Sequence, residues 1–302
     1  MKNFDFLNLH NEQEFQDWRE KKLGAVNAIS TNVVKISNLR NPKTEEIDAI
    51  IRQCEARNFC IYDALDHGER DQYSADLRSF ADSFGLDVAE DHRSAGKNGV
   101  VDLKISNENS KSIYIPYSNK AMNWHTDGYY NAPKDRIRSF VLHCLVAADD
   151  GGTSQLCDPE IVYIKLRDEN PDFIAALAAQ DALTIPENIE PNGKIRPKSV
   201  GPVFSVEPKT NLIEMRYTAR KRYIEWNDEP TTMAAVNFLS EVLATEGDHI
   251  TTVDLRPGQG VICNNCLHNR TSFGASGNRP SARHLLRARF HNRIARKQNG
   301  KA

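Results

Sequence analysis

The sequence predicts a mainly β protein with flanking helices, whose double-stranded β-helix (jelly-roll) core carries a helical insertion. Three observations predict it. From about residue 112, short runs of β-branched and aromatic residues recur between turn signals, as strands do. A helical stretch at residues 158–180 interrupts these runs and is followed by more of them. No glycine-rich phosphate loop of the GxGxxG or GxxxxGK type occurs, which argues against a βαβ nucleotide-binding wind.

Taken in order, residues 44–57 read as an amphipathic helix, with Ile47, Ile50, Ile51 and Cys54 at helical spacing. Residues 59–62 suit a short strand, and residues 70–84 a second helix with Tyr73, Leu77, Phe80 and Phe84 on one stripe. Residues 92–111, rich in Asn, Ser, Gly and Lys, suit a loop or flap, and 113–115 a short strand. Residues 137–146 form a longer strand signal that ends at the Asp150-Gly151-Gly152 turn. The helical stretch 158–180 should break at Pro171. Residues 203–206 and 212–217 flank Glu207-Pro208-Lys209-Thr210-Asn211, a hairpin signature. Pro230 suits the first turn of a helix that turns Val236, Leu239, Val242 and Leu243 inward. Strand signals return at 250–255, 260–263 and 283–290.

Composition bounds the function. Of 302 residues, 39% are hydrophobic and 26% charged, the profile of a soluble globular chain. A net charge of −2 gives no pull towards nucleic acid or an anionic membrane. The longest apolar stretches, such as 140–148, are too short to span a bilayer, and the first residues lack a secretory pattern. Six cysteines without a framework spacing point to a reducing cytoplasm. The expectation is one domain over residues 1–302, with its core at about 44–292 and a frayed basic tail at 293–302. It would act on a small molecule, with no nucleic-acid or membrane partner, and self-association is left open.

The chemistry concentrates in three segments. His125 and Asp127 lie two apart in Trp124-His125-Thr126-Asp127, so an extended backbone points both side chains the same way. A third donor must come from a distant strand, and His268 is the best-placed candidate. Two imidazoles and one carboxylate form the facial triad of non-haem Fe(II) oxygenases, which leaves metal positions open for cosubstrate and oxygen. Arg283 and Arg287 follow at a spacing that suits one strand face. A rival zinc set, Cys263-x-x-Cys266-x-His268, lacks a fourth ligand, and packed thiols are the simpler reading.

Trp124-His125-Thr126-Asp127, Gly151-Gly152-Thr153-Ser154, Leu267-His268-Asn269-Arg270-Thr271-Ser272-Phe273 and Arg283-x-x-x-Arg287 together resemble the TauD/TfdA family. These are Fe(II)- and 2-oxoglutarate-dependent oxygenases. The resemblance implies that His125, Asp127 and His268 hold iron, and that Arg283 binds the distal carboxylate of 2-oxoglutarate through its planar fork. It implies that Ser154, or Thr153 beside it, helps hold that carboxylate, and that Arg287 lines the site. O2 is the second cosubstrate, and succinate and CO2 are released. An intact Asp127 argues against halogenation, which needs a small residue there. Taurine-oxidising members carry asparagine four residues before the first histidine, where this chain has Ala121, which argues against taurine. Tyr129, Tyr130 and Arg216 are the candidate substrate contacts, for a small anionic or zwitterionic metabolite.

Two readings compete with the oxygenase. A catalytically silent jelly-roll binding protein would have lost one of His125, Asp127, His268 or Arg283. A metal-dependent hydrolase or lyase on a similar barrel would leave Arg283 and the Gly151-Gly152-Thr153-Ser154 segment without a role.

Overall fold

The computed structural model describes residues 4–29, 32–64, 72–91, 96, 98–106, 114–189, 193, 195–220, 222–274 and 282–297. Two antiparallel-rich sheets position everything that follows. The larger has six strands in the order Val34–Ile36, Phe59–Ala64, Gln259–Cys263, Ser139–Val146, His284–Phe290 and Val100–Lys104. The smaller has four, in the order Ile250–Val253, Ser154–Cys157, Leu267–Arg270 and Met122–His125. Phe59, Ile61, Phe140, Val261 and Cys263 of the larger sheet share one buried cluster with Leu156 and Cys266 from the side of the smaller one.

Alternation along the strands then sorts the faces. In His284–Phe290, Leu286, Ala288 and Phe290 pack outward against helices Thr44–Arg57 and Tyr73–Ser83, together with Ile50, Ile51, Cys54, Leu77 and Phe80. The opposite face of the same strand carries Leu285, Arg287 and Arg289. The helical insertion comprises Pro159–Glu169 and Pro171–Ala178, divided at the Asn170-Pro171 step, with Asn170 capping the second helix through Asp172 N–H. These helices and Pro230–Ala244 bury Ile161, Leu166, Leu177, Leu239 and Leu243 in the largest cluster.

Helix Thr44–Arg57 ends as its sequence dictates. Glu46 accepts from Lys43 N–H at the start, and Asn58 adopts φ 61° at the end, donating its N–H to the Cys54 carbonyl. The Asn58 side chain then reaches Asp158, which caps Pro159–Glu169 and pairs with the buried Lys22. Lys22 also pairs with Glu160. It lies on helix Glu12–Ala28, which the sequence reading missed because its apolar stripe is thin, and which extends the packed region upstream of residue 44.

Three further expectations need correction. Residues 115–117 form a single 3-10 turn rather than the end of a strand, since Pro116 fits its first positions, and residue 113 lies outside the described residues. The supposed flap at 92–111 contains the edge strand Val100–Lys104, and residues 92–95, 97 and 107–111 lie outside the described residues. The tail is anchored at its start: Arg293 donates to Asn58, Ile294 packs on the outer cluster, and Ala295 N–H meets the Phe84 carbonyl. Among the described residues, no helix is long and apolar enough to cross a membrane.

Candidate metal centre and cosubstrate pocket

His125 ends one strand of the smaller sheet and His268 lies on its neighbour, directly opposite in the antiparallel register. Their ring centroids are 4.2 Å apart. Each imidazole is fixed by the same local device. His125 Nδ1 lies 2.8 Å from the Asn123 carbonyl, and His268 Nδ1 lies 2.9 Å from the Cys266 carbonyl. A carbonyl can only accept, so both Nδ1 atoms carry the proton and both Nε2 lone pairs remain for a metal. Burial, with the neighbouring His268, lowers the His125 pKa to about 3, and burial lowers that of His268. Both rings are therefore neutral at neutral pH, the form that ligation requires.

Asp127 follows the strand and completes the cluster. One donor atom from each of His125, Asp127 and His268 lies within 4.8 Å of the others, so the three could hold a metal ion. Burial opposes the Asp127 charge, but the Arg287 and Arg289 guanidiniums outweigh it and hold the carboxyl well below its usual range. Arg287 Nη1 approaches Oδ1 at 3.2 Å, and Arg289 Nη1 approaches the same oxygen at 3.5 Å. Arg289 is in turn paired with Glu90 and meets the Tyr130 hydroxyl at 3.4 Å.

The backbone of Asp127 is held by Asn265. Its Oδ1 accepts from Asp127 N–H at 2.8 Å, and its Nδ2 donates to the carbonyls of Asp127 and Ile137 at 3.0 and 2.7 Å. Asn265 adopts φ 50°, a conformation asparagine tolerates well. The turn it makes also places Cys263 and Cys266 in the same buried cluster, where regular alternation would have separated them. The Cys266 thiol meets the Asn58 carbonyl, and burial raises its pKa, so the cysteines of the zinc reading are packed thiols outside the triad.

The remaining expected residues gather around Phe273 and the double glycine. Arg283 is buried with its guanidinium 4.9 Å from the Phe273 ring, while Arg270 lies 4.7 Å from the same ring. Burial and then the nearby Arg283 charge bring the Arg270 pKa down to about 10. Gly151 and Gly152 have φ 69° and 77°, and a Cβ at Gly152 would stand 3.2 Å from Arg283 Nε. Ser154 and Thr153 are half-buried on this side, with Ser154 opposite Arg270 in the ladder. The segment 217–219 pins the ligand strand: Thr126 N–H meets the Tyr217 carbonyl, and Ala219 N–H that of Trp124.

Arg216 has a different occupation from the one expected. It is buried and donates to the carbonyls of Tyr129, Leu183, Gly201 and Ser199 and to the Ser199 hydroxyl, which makes it a clamp between segments. Tyr129 stands edge-on to His125 at 6.4 Å, and Tyr129 and Tyr130 meet at 5.2 Å. The sequence reading missed Asn265, Arg270 and Arg289. Arg289 was recoverable, since it continues the alternation of Arg283 and Arg287; Asn265 carried no signal beyond a turn-forming side chain.

Fold and site have the form of the non-haem iron dioxygenases that take 2-oxoglutarate as cosubstrate. A model of the family described as "Taurine catabolism dioxygenase TauD, TfdA family" matches residues 21–289, and the chain belongs to that family. A uridine-5'-phosphate dioxygenase from an Amycolatopsis species is 30% identical over 177 residues, 55% of this chain and 60% of that protein. The match thus spans less than two thirds of that relative's length. Among solved structures, the non-heme iron oxygenase OrfP in complex with Fe and alpha-ketoglutaric acid gives a TM-score of 0.56 at 15% identity, covering 85% of this chain and 81% of that one. An asparagine oxygenase in complex with Fe(II), 2S,3S-3-hydroxyasparagine and succinate gives 0.51 at 14% identity, covering 92% of each chain. At these identities the likeness speaks to the fold.

Proposed function

We propose that the chain hydroxylates an aliphatic C–H bond of a small anionic or zwitterionic metabolite, using Fe(II), 2-oxoglutarate and O2 and releasing succinate and CO2. The observation that carries this reading is the convergence of His125, Asp127 and His268, with both Nε2 atoms unspent and the carboxylate ionised. The donor set fits Fe(II): two neutral imidazoles and one anionic oxygen leave room for further ligands.

His125, Asp127 and His268 would hold the iron, which supplies the activation of dioxygen that C–H oxidation needs. Asn265 holds the Asp127 backbone, and Arg287 and Arg289 orient its carboxylate. Arg283 would take the distal carboxylate of 2-oxoglutarate, with Ser154 or Thr153 beside it. The repulsion between Arg270 and Arg283 favours an anion here, and the small Gly152 leaves Arg283 its place. Tyr129 and Tyr130 lie on the substrate side, beside His125 and Arg289.

The facing sheets support a jelly-roll core, and the whole chain is read as one oxygenase domain. Six buried cysteines, none in a disulfide, support a reducing cytoplasm. The partly aligned relative makes uridine 5'-phosphate the first substrate to try. The test is anaerobic absorption spectroscopy of the protein titrated with Fe(II) and then 2-oxoglutarate. A weak charge-transfer band that needs both additions is the expected outcome. With iron loading verified, absence of the band sinks the reading.

A further inference from the structure

Among the described residues, several arginines of this region are already neutralised or engaged. Arg289 faces Glu90 and Asp127, and Arg216 spends its donors on carbonyls. Arg136 and Arg138 share Glu214. Two arginines differ. Arg196 lies over the Tyr130 ring at 5.8 Å, and Arg220 lies over the Tyr129 ring at 5.9 Å. Neither has a carboxylate partner among the described residues. Arg196 donates from Nη2 to the Pro186 carbonyl at 3.1 Å, while its Nη1 is buried without an acceptor. Arg220 is exposed and makes neither a hydrogen bond nor an ion pair among the described residues.

Both are carried on backbone tied to the metal centre. Arg220 comes directly after the segment in which Thr218 bridges to His125 and Ala219 N–H meets the Trp124 carbonyl. Arg196 ends the hairpin that pairs with Asn188–Ile189, and the following strand Ser199–Gly201 is held by Arg216 and by a Ser199 hydroxyl bond to the Asn131 carbonyl. Two guanidiniums thus stand over adjacent rings, 5.2 Å apart, of which one is edge-on to His125.

We propose that Arg196 and Arg220 form a clamp for an oxyanion group of the substrate, a phosphate monoester or a carboxylate, beside Tyr129 and Tyr130. This assignment rests on the oxygenase reading for its neighbour site and adds to it the residues that select the substrate's charge. The chemistry suits it: a buried guanidinium donor without an acceptor is expensive, and an oxyanion supplies acceptors in the plane of each fork. Planar cations lying over aromatic faces keep their edge N–H groups free for that purpose.

The test is calorimetric titration of wild type, Arg220→Gln and Arg196→Gln/Arg220→Gln, each loaded anaerobically with Fe(II) and 2-oxoglutarate. The probes are uridine 5'-phosphate for the phosphate arm, L-aspartate for the carboxylate arm, and uridine as the neutral control. The clamp requires at least one anionic probe to bind wild type and to lose about tenfold or more in affinity in the double variant, with uridine unaffected. The preferred arm tells which oxyanion is taken. Equal binding by wild type and double variant, or no binding of either anionic probe to wild type, overturns it. Arg220→Gln changes an exposed side chain, so its smaller loss separates recognition from misfolding. The absorption band is recorded on the same samples: its absence from wild type would count against the oxygenase reading, while a band with unchanged anion binding would count against the clamp alone.

Discussion

His125 and His268 stand opposite each other in one antiparallel ladder, and each is oriented by a carbonyl two residues before it. The same short-range bond thus fixes both tautomers, so the geometry of the pair is set by strand register rather than by distant partners. Replacing His268 by alanine should abolish iron retention in equilibrium dialysis while the variant still unfolds cooperatively, at a melting temperature lowered by loss of the ring contact with Phe140, 4.8 Å away. A variant that kept stoichiometric iron would exclude His268 from the ligand set.

Asn265 makes three hydrogen bonds, two of them to the backbone of Asp127. Asn265→Ala should weaken iron binding by about 10–100-fold, the usual cost of losing a partner that orients a ligand. Iron titration by competition with a chelator measures it, and an unchanged affinity would reduce Asn265 to a turn residue.

Gly152→Ala places a methyl group 3.2 Å from Arg283 Nε at a backbone φ of 77°. Arg283 must move, so the 2-oxoglutarate concentration that half-saturates the absorption band should rise several-fold while iron affinity stays constant. Arg283→Lys should do the same by removing the bidentate fork but keeping the charge. Equal half-saturation in both variants and wild type would show that 2-oxoglutarate sits elsewhere.

Lys22 is buried between Asp158 and Glu160, where burial works against its charge but the two carboxylates outweigh it, and its pKa is raised above the ordinary 10.5. Lys22→Met leaves two buried carboxylates without their cation and should cost about 3–5 kcal/mol by denaturant unfolding. A raised pKa contributes stability fully present below the unfolded value and lost as pH rises through the folded one. The difference between wild type and Lys22→Met should therefore be flat from about pH 6 to 9 and shrink above about pH 10.5. A difference that grows with alkalinity would contradict the pairing.

Arg216→Met leaves several buried carbonyls without donors and should cost about 3 kcal/mol or more. Substrate affinity per folded molecule should be less affected. A large affinity loss in a variant of normal stability would return Arg216 to the substrate pocket.

The sequence by itself determined the local facts. Period and punctuation pointed to helices at 44–57, 158–180 and after Pro230 and to a hairpin across 203–217, close to where the structure has them, because amphipathic spacing, Pro171, Pro230 and the Glu207–Asn211 turn act through neighbouring residues. The shared direction of His125 and Asp127 was legible in the same way, since donor type and i, i+2 spacing are properties of a short segment, whereas the roles expected of His268 and Arg283 leaned on the resemblance to the family. What the tertiary structure alone decided is which charges meet. Arg216 sits in a basic run that reads as a pocket wall, yet distant carbonyls take its donors. Asn265 looks like any turn residue, yet Asp127, 138 residues away in the chain, depends on it. Arg196 and Arg220 are ordinary surface cations in sequence, and folding sets both over one tyrosine pair. Electrostatic partners act through space, and a residue pattern records only the spacing along the chain.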